Sequence, residues 1–379
     1  MFHYLDHAAT TQVRPEAAQA ALEAMTQGWG NPSSRHTLGA RAAEQVKKWR
    51  EDVARALGCQ PGEVYFTSCG TESNNWAIQT AVEIGKRKGR HIITSVLEHS
   101  AVLEPCKALE RQGYEVTYLK PDKNGVLSME ELSSALRPDT VLVSLMLVNN
   151  ELGTVNPIAE VSRMIQKSGS PALFHCDAVQ GFLKVPFTPK ELGVDFLSVS
   201  GHKLHAPKGI GALYVRNGVR LSPMILGGGQ ENGQRSGTEA TAQIAAFAAA
   251  ARLGRESLER DLEHMAQLKV YALQTLTERV PGLVRIGDGE APHIMPISLP
   301  GYKSEVILRF LSDRGVYVSS GSACHKGKPS RIYAALGLNK KILDGILRVS
   351  FSYDSTREDV DALCDGLVEA QKVLFTSLS

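Results

Sequence analysis

Between residues 64 and 215, short apolar runs alternate with longer stretches of helical periodicity, and this alternation leaves the chain few architectures to adopt. Runs that read as strands fall at 64–67, 91–95, 116–119, 141–148, 172–176, 196–200 and 212–215. Helical patterns cover 14–27, 38–57, 75–88, 102–112 and 158–167. Strands alternating with helices predict an α/β fold, a mostly parallel sheet with helices on its faces. Beyond it, an alanine-rich stretch from Ala240 predicts one long helix running toward Val280, able to link two domains. The signature then shifts to strands at 294–299, 316–318 and 346–351, with helices at 304–314 and from Arg357 onward, which suits a smaller α+β unit. The 379 residues are enough for two domains. The expected division is 14–258 for the large unit, and 1–13 with 259–379 for the small one.

Parallel strands bring their carboxyl ends to one edge, where open α/β sheets bind ligands. Lys203 stands there, directly after Ser200-Gly-His202, with the Pro207-Lys-Gly209 turn leading into the next strand. A lysine needed only for solubility belongs on an exposed helix face. One at a sheet mouth, among small and hydrogen-bonding residues, suits a Schiff base with a carbonyl. The aldehyde cofactor pyridoxal phosphate (PLP) needs such a lysine, a carboxylate for its ring nitrogen and donors for its phosphate. Asp177 closes an apolar run at the same edge, and a carboxylate there requires a cationic partner, which a protonated pyridine nitrogen provides. Gln180 and Asn150 are placed to reach the ring's phenolic oxygen. Gly70 and Thr71 follow a strand and precede a helix, a natural anion site, with Ser200 and His202 as further phosphate donors. His99 can stack on a planar ring. The glycine-rich stretch from Gly227 to Thr238 either approaches a ligand or turns at an interface, and Arg235 and Thr238 add anion-binding capacity.

A second reactive group is Cys324. Structural cysteines prefer apolar company, whereas this one sits among small polar residues and is followed by His325, Lys326 and Lys328, whose charge favours the thiolate. The remaining five cysteines are scattered without metal-ligand spacing and read as reduced thiols of a cytoplasmic protein. With 42 basic and 40 acidic residues, nothing calls for direct contact with nucleic acid or a membrane surface. No signal-like or membrane-spanning run is present in the sequence.

Eight motifs then line up in order: Leu5-Asp-His-Ala-Ala-Thr10, Gly30-Asn-Pro-Ser-Ser34, Gly70-Thr-Glu-Ser-Asn74, Val148-Asn-Asn-Glu151, Ser200-Gly-His-Lys203, Gly227-Gly-Gly229, Arg235-Ser-Gly-Thr238 and Ser319-Ser-Gly-Ser-Ala-Cys324. Together they resemble a cysteine desulfurase of the class V aminotransferase-like, fold type I PLP-dependent superfamily. The resemblance implies a seven-stranded, mostly parallel sheet in the large domain, and a homodimer. It implies PLP on Lys203, Asp177 at the ring nitrogen, Gln180 and Asn150 at the ring oxygen, and His99 stacked on the ring with a catalytic part. Gly70, Thr71, Ser200 and His202 would hold the phosphate, with Thr238 reaching in from a second subunit. Asn31 and Arg348 would bind the carboxylate of L-cysteine, since a planar guanidinium fork matches a carboxylate. Cys324 would take the sulfur and pass it to a protein acceptor, such as an iron–sulfur scaffold or a tRNA-thiolation enzyme. The short stretch after Cys324 departs from the housekeeping branch of the family, which leaves the acceptor open. The same cofactor set would also serve a selenocysteine or C–S lyase or a class V aminotransferase. A non-catalytic scaffold would be expected to lack one of Lys203, Asp177 and Cys324.

Overall fold

The computed structural model describes residues 2–320 and 330–376. Twelve strands are found among them: β1 His3–Tyr4, β2 Val64–Thr67, β3 His91–Ser95, β4 Glu115–Leu119, β5 Thr140–Met146, β6 Leu173–Asp177, β7 Phe196–Ser200, β8 Gly211–Val215, β9 Val284–Arg285, β10 Ile294–Ser298, β11 Val316–Tyr317 and β12 Ile346–Ser350. Seven form one sheet in the order β2-β8-β7-β6-β5-β3-β4. Its pairings are parallel from β4 across to β7, while β8 runs antiparallel to both β7 and β2. Strands β3, β5, β7 and β8 are buried along their whole length, as expected when helices cover both faces. Edge strand β4 is largely exposed or half-buried.

Helix Gly70–Gly85 packs on the centre of this sheet, touching β5, β6, β7 and β8. Helices Pro15–Thr26 and Thr37–Leu57 pack against Thr241–Glu256. A smaller antiparallel sheet, β12-β10-β9, and the parallel pair β1-β11 lie in the remainder. Its apolar core gathers Leu5, Met265, Leu268, Ile307, Phe351 and Leu363, so the N-terminal segment packs with the C-terminal third.

Four elements differ from expectation. The long helix predicted toward Val280 is two helices, Thr241–Glu256 and Leu258–Arg279. Ser257 makes the break: its hydroxyl bonds back to Leu253 O at 3.0 Å and contacts Asp261 Oδ2 at 2.6 Å, offering the backbone an alternative to continuing. The helix expected at 75–88 begins five residues earlier, at Gly70. Short helices at Met129–Ala135 and Pro189–Leu192 were not legible as helical patterns.

Candidate active site

The parallel run of the large sheet brings the ends of β3, β5, β6 and β7 to one edge, and a cavity of about 260 Å³ opens there. Gly70, Thr71, His99, Asn150 and Asp177 line it. Gln180, Ser200, His202, Lys203 and Arg348 complete the set of predicted residues in its wall. A wider groove of about 740 Å³ lies beside Cys59 and Arg216, at the opposite strand ends and away from these groups.

Lys203 lies in a single helical turn directly after β7. Its Nζ donates to Ala8 O at 2.6 Å and Ala9 O at 2.7 Å, both from the N-terminal segment. Burial pushes its ammonium down to about 7; Arg348 adds to the fall, and Asp6 and Asp177 oppose it. The N-terminal segment is held in turn by Gln180, whose Nε2 donates to Ala8 O at 2.8 Å, and by Thr11, whose Oγ1 donates to His202 O at 2.9 Å.

Asp177 ends β6 and is 6 % exposed. Asn74 Nδ2 donates to its Oδ2 at 2.6 Å and Val179 N to its Oδ1 at 3.0 Å. Both partners are neutral, and no salt bridge joins it to a cation among the described residues. The cationic partner expected from sequence is therefore not supplied by the described residues. Asn74 was missed as a site residue because the helix was expected to start after it. Once the helix starts at Gly70, Asn74 falls one turn on and on the same face.

His99 lies past the end of β3 and caps helix Ser100–Glu110, with its Nδ1 accepting from Ala101 N at 3.1 Å. Burial lowers its pKa first of all, with Asp177 opposing and Lys203 and Arg331 assisting. A neutral ring with Nδ1 so engaged carries its proton on Nε2. His202 Nδ1 sits 3.2 Å from Thr10 Oγ1, and burial followed by Lys203 and Lys208 brings it down to about 4. Arg348, on β12, is 3 % exposed; Nη1 donates to Asn150 O and Nη2 to Asp6 Oδ1, each at 2.8 Å.

Two predicted residues stay outside the cavity wall. Asn31 is exposed, its Oδ1 accepting from Ser33 N at 2.9 Å. Thr238 is exposed as well. Arg235 is taken by Glu72, 2.8 Å away, and so ties the glycine-rich loop to the helix that opens at Gly70. Cys324 lies outside the described residues.

Residues 3–363 match the family described as Aminotransferase class-V. The chain belongs to the class V aminotransferase family. Within that family it is 42 % identical over 370 residues to a protein named "Cysteine desulfurase" from Trichormus azollae, covering 97 % of this chain and 92 % of that one. Among solved structures, a "NIFS-LIKE PROTEIN" superposes with a TM-score of 0.93 at 37 % identity, over 99 % of this chain and 100 % of that one. Another, "SspA in complex with cysteine", gives a TM-score of 0.80 at 34 % identity, over 93 % and 100 %. Class V aminotransferases are PLP enzymes of fold type I, and the fold expected from sequence is the one observed.

The residues in the cavity suit that cofactor. Among the described residues, Ser200 Oγ is buried without a hydrogen-bond partner, as is Asn150 Oδ1, so acceptors and donors stand ready at the wall. Asp177 is a buried carboxylate whose two partners are neutral, and it calls for a cation such as a pyridinium. No helix among the described residues is long and apolar enough to cross a membrane.

Proposed function

We propose that the chain is a PLP-dependent cysteine desulfurase that releases L-alanine from L-cysteine and keeps the sulfur as a persulfide on Cys324. The observation that carries this is the convergence on one cavity of Lys203, Asp177 and Arg348. Relatives named as cysteine desulfurases, and a related structure titled as a complex with cysteine, support the choice of substrate.

Bound PLP would supply an electron sink that loosens the substrate's α-proton and its Cβ–S bond. Asp177, fixed by Asn74 and Val179, would face the ring nitrogen and favour its protonated form. Gly70, Thr71, Ser200 and His202 would hold the phosphate, Gln180 and Asn150 would contact the ring oxygen, and His99 would stack on the ring. Arg348 would grip the substrate carboxylate. Lys203 Nζ would hold the cofactor and, once released, take the α-proton, for which an amine titrating near neutral pH is suited. The carbonyls of Ala8 and Ala9 define where the freed amine rests. His99, with its proton on Nε2, would donate rather than accept. The Cys324 thiolate would attack the substrate sulfur: an S–S bond forms, the Cβ–S bond breaks, and the electron pair left on carbon takes a proton to give alanine.

A protein acceptor, such as an iron–sulfur scaffold or a tRNA-thiolation enzyme, would then collect the sulfur. We further propose a cytoplasmic homodimer in which 14–258 carries the cofactor and 1–13 with 259–379 carries Cys324. Thr238, exposed and away from its own cavity, would complete a neighbour's phosphate site. An active monomer on sizing would contradict the dimer.

The deciding assay supplies PLP-loaded protein with L-cysteine and a thiol reductant. Alanine and sulfide in equal amounts, both lost in Lys203→Ala, are expected. Pyruvate with ammonia would mean a lyase, and a keto acid retaining sulfur would mean a transaminase; either replaces the proposal.

A further inference from the structure

We propose that Asp6 is a positioning residue for substrate recognition: its carboxylate fixes the Arg348 guanidinium and offsets part of its charge, and it stays in place when an amino-acid carboxylate binds. This rests on the reading of Arg348 as the carboxylate site. Asp6 Oδ1 lies 2.8 Å from Arg348 Nη2, the two side chains being 20 % and 4 % exposed. Nη1 is held by Asn150 O, while Nε is buried and has no partner among the described residues. A guanidinium carries five N–H donors, so this fork keeps donors for a second carboxylate without releasing Asp6. An incoming carboxylate would therefore share one cation with an anion already in place. Orientation of the fork favours binding, and the fixed negative charge opposes it.

The main chain of Asp6 serves the same cavity. Its carbonyl accepts from Ala9 N at 2.9 Å and from Tyr4 Oη at 3.2 Å, and so opens the turn whose Ala8 and Ala9 carbonyls receive Lys203. Five groups face the Lys203 amine electrostatically: Arg348 from β12, Asp6 from the N-terminal segment, Asp177 from β6, His99 beyond β3 and His202 beside it. Asp6 is thus the one anion that touches Arg348 and also acts on Lys203, among the described residues. The roles of charge and of position can be separated. Asp6→Asn keeps a side-chain oxygen for Arg348 and removes the charge; Asp6→Ala removes both.

The test uses PLP-loaded protein, with L-alanine affinity measured by calorimetry and KM, kcat and the pH profile measured with L-cysteine. For Asp6→Asn, L-alanine should bind about 3- to 10-fold more tightly, in the range of a partly screened ion pair. KM should fall more than kcat changes, and the acid limb of kcat should move to lower pH as the released Lys203 amine loses a facing anion. For Asp6→Ala, affinity should fall about tenfold as the fork loses its anchor. If both variants bind as the wild type does, or weaken equally, the proposal is wrong. Arg348→Ala is the control: if it loses L-alanine binding while the Asp6 variants do not move, only the proposal falls. If Arg348→Ala binds L-alanine normally, the carboxylate-site reading falls first and takes the proposal with it.

Discussion

Replacing Lys203 by methionine, in protein free of PLP, should make the fold more stable, and the gain should fade as pH rises. Burial carries the amine from 10.5 in the open chain to about 7 in the folded one. Between those values the unfolded chain binds the extra proton, so the stability of the wild type rises with pH. Below about 7 both states are protonated and the full burial cost stands; above about 10.5 both are neutral and it has gone. At about 1.4 kcal/mol per pKa unit, the interval corresponds to at most about 5 kcal/mol. Water in the open cavity, and the carbonyls of Ala8 and Ala9, reduce this to roughly 2–3 kcal/mol. Methionine fills a similar volume without a charge. Urea unfolding at pH 6.5 and pH 9.5 measures the difference directly. Lys203→Met should exceed the wild type by that amount at the lower pH and by much less at the higher. Equal stability at pH 6.5, or a gap that widens toward pH 9.5, would refute the reasoning and leave Lys203 an ordinary solvated lysine.

Other expectations concern neighbouring groups. Asp177→Asn should retain PLP but lose at least about 100-fold in kcat, since the ring nitrogen loses its anion; steady-state kinetics with the cofactor absorbance as a loading check would measure it. Glu98 is fully buried, with Oε1 accepting from Met146 N and Ser95 Oγ, and burial raises its carboxyl to about 8. Between about 4.5 and 8 the folded state holds a proton that the unfolded state releases, so this group makes stability fall as pH rises. Glu98→Gln should remove that slope and raise the melting temperature at pH 8 by several degrees; an unchanged melting curve would contradict it.

The strands of the large sheet were legible because those buried on both faces carry largely apolar runs, as at Thr140–Met146 and Gly211–Val215. Helix starts were less so. Gly70 reads as a loop residue in sequence, yet it occupies the first turn of a helix, and that hid Asn74. Ser257 looks compatible with a continuous helix, because what stops it is a local side-chain bond to Leu253 O rather than a glycine or proline. That Lys203, Asp177 and Arg348 would meet at one cavity could be expected because their side chains carry distinctive chemistry. The carbonyls of Ala8 and Ala9 could not: a backbone oxygen 195 positions away in the chain leaves no trace in residue type. The anchoring of Arg348 by Asp6 spans 342 positions and was equally hidden, although Asp6 lies in the Leu5-Asp-His-Ala-Ala-Thr10 motif.

The most direct test follows where sulfur goes in one turnover. PLP-loaded protein mixed with a single equivalent of L-cysteine, quenched with a thiol-alkylating reagent and mapped by mass spectrometry, should carry the extra sulfur on Cys324, with alanine in matching amount. Extra sulfur on Cys69 or another thiol, or alanine formed just as fast by Cys324→Ala, would contradict the account.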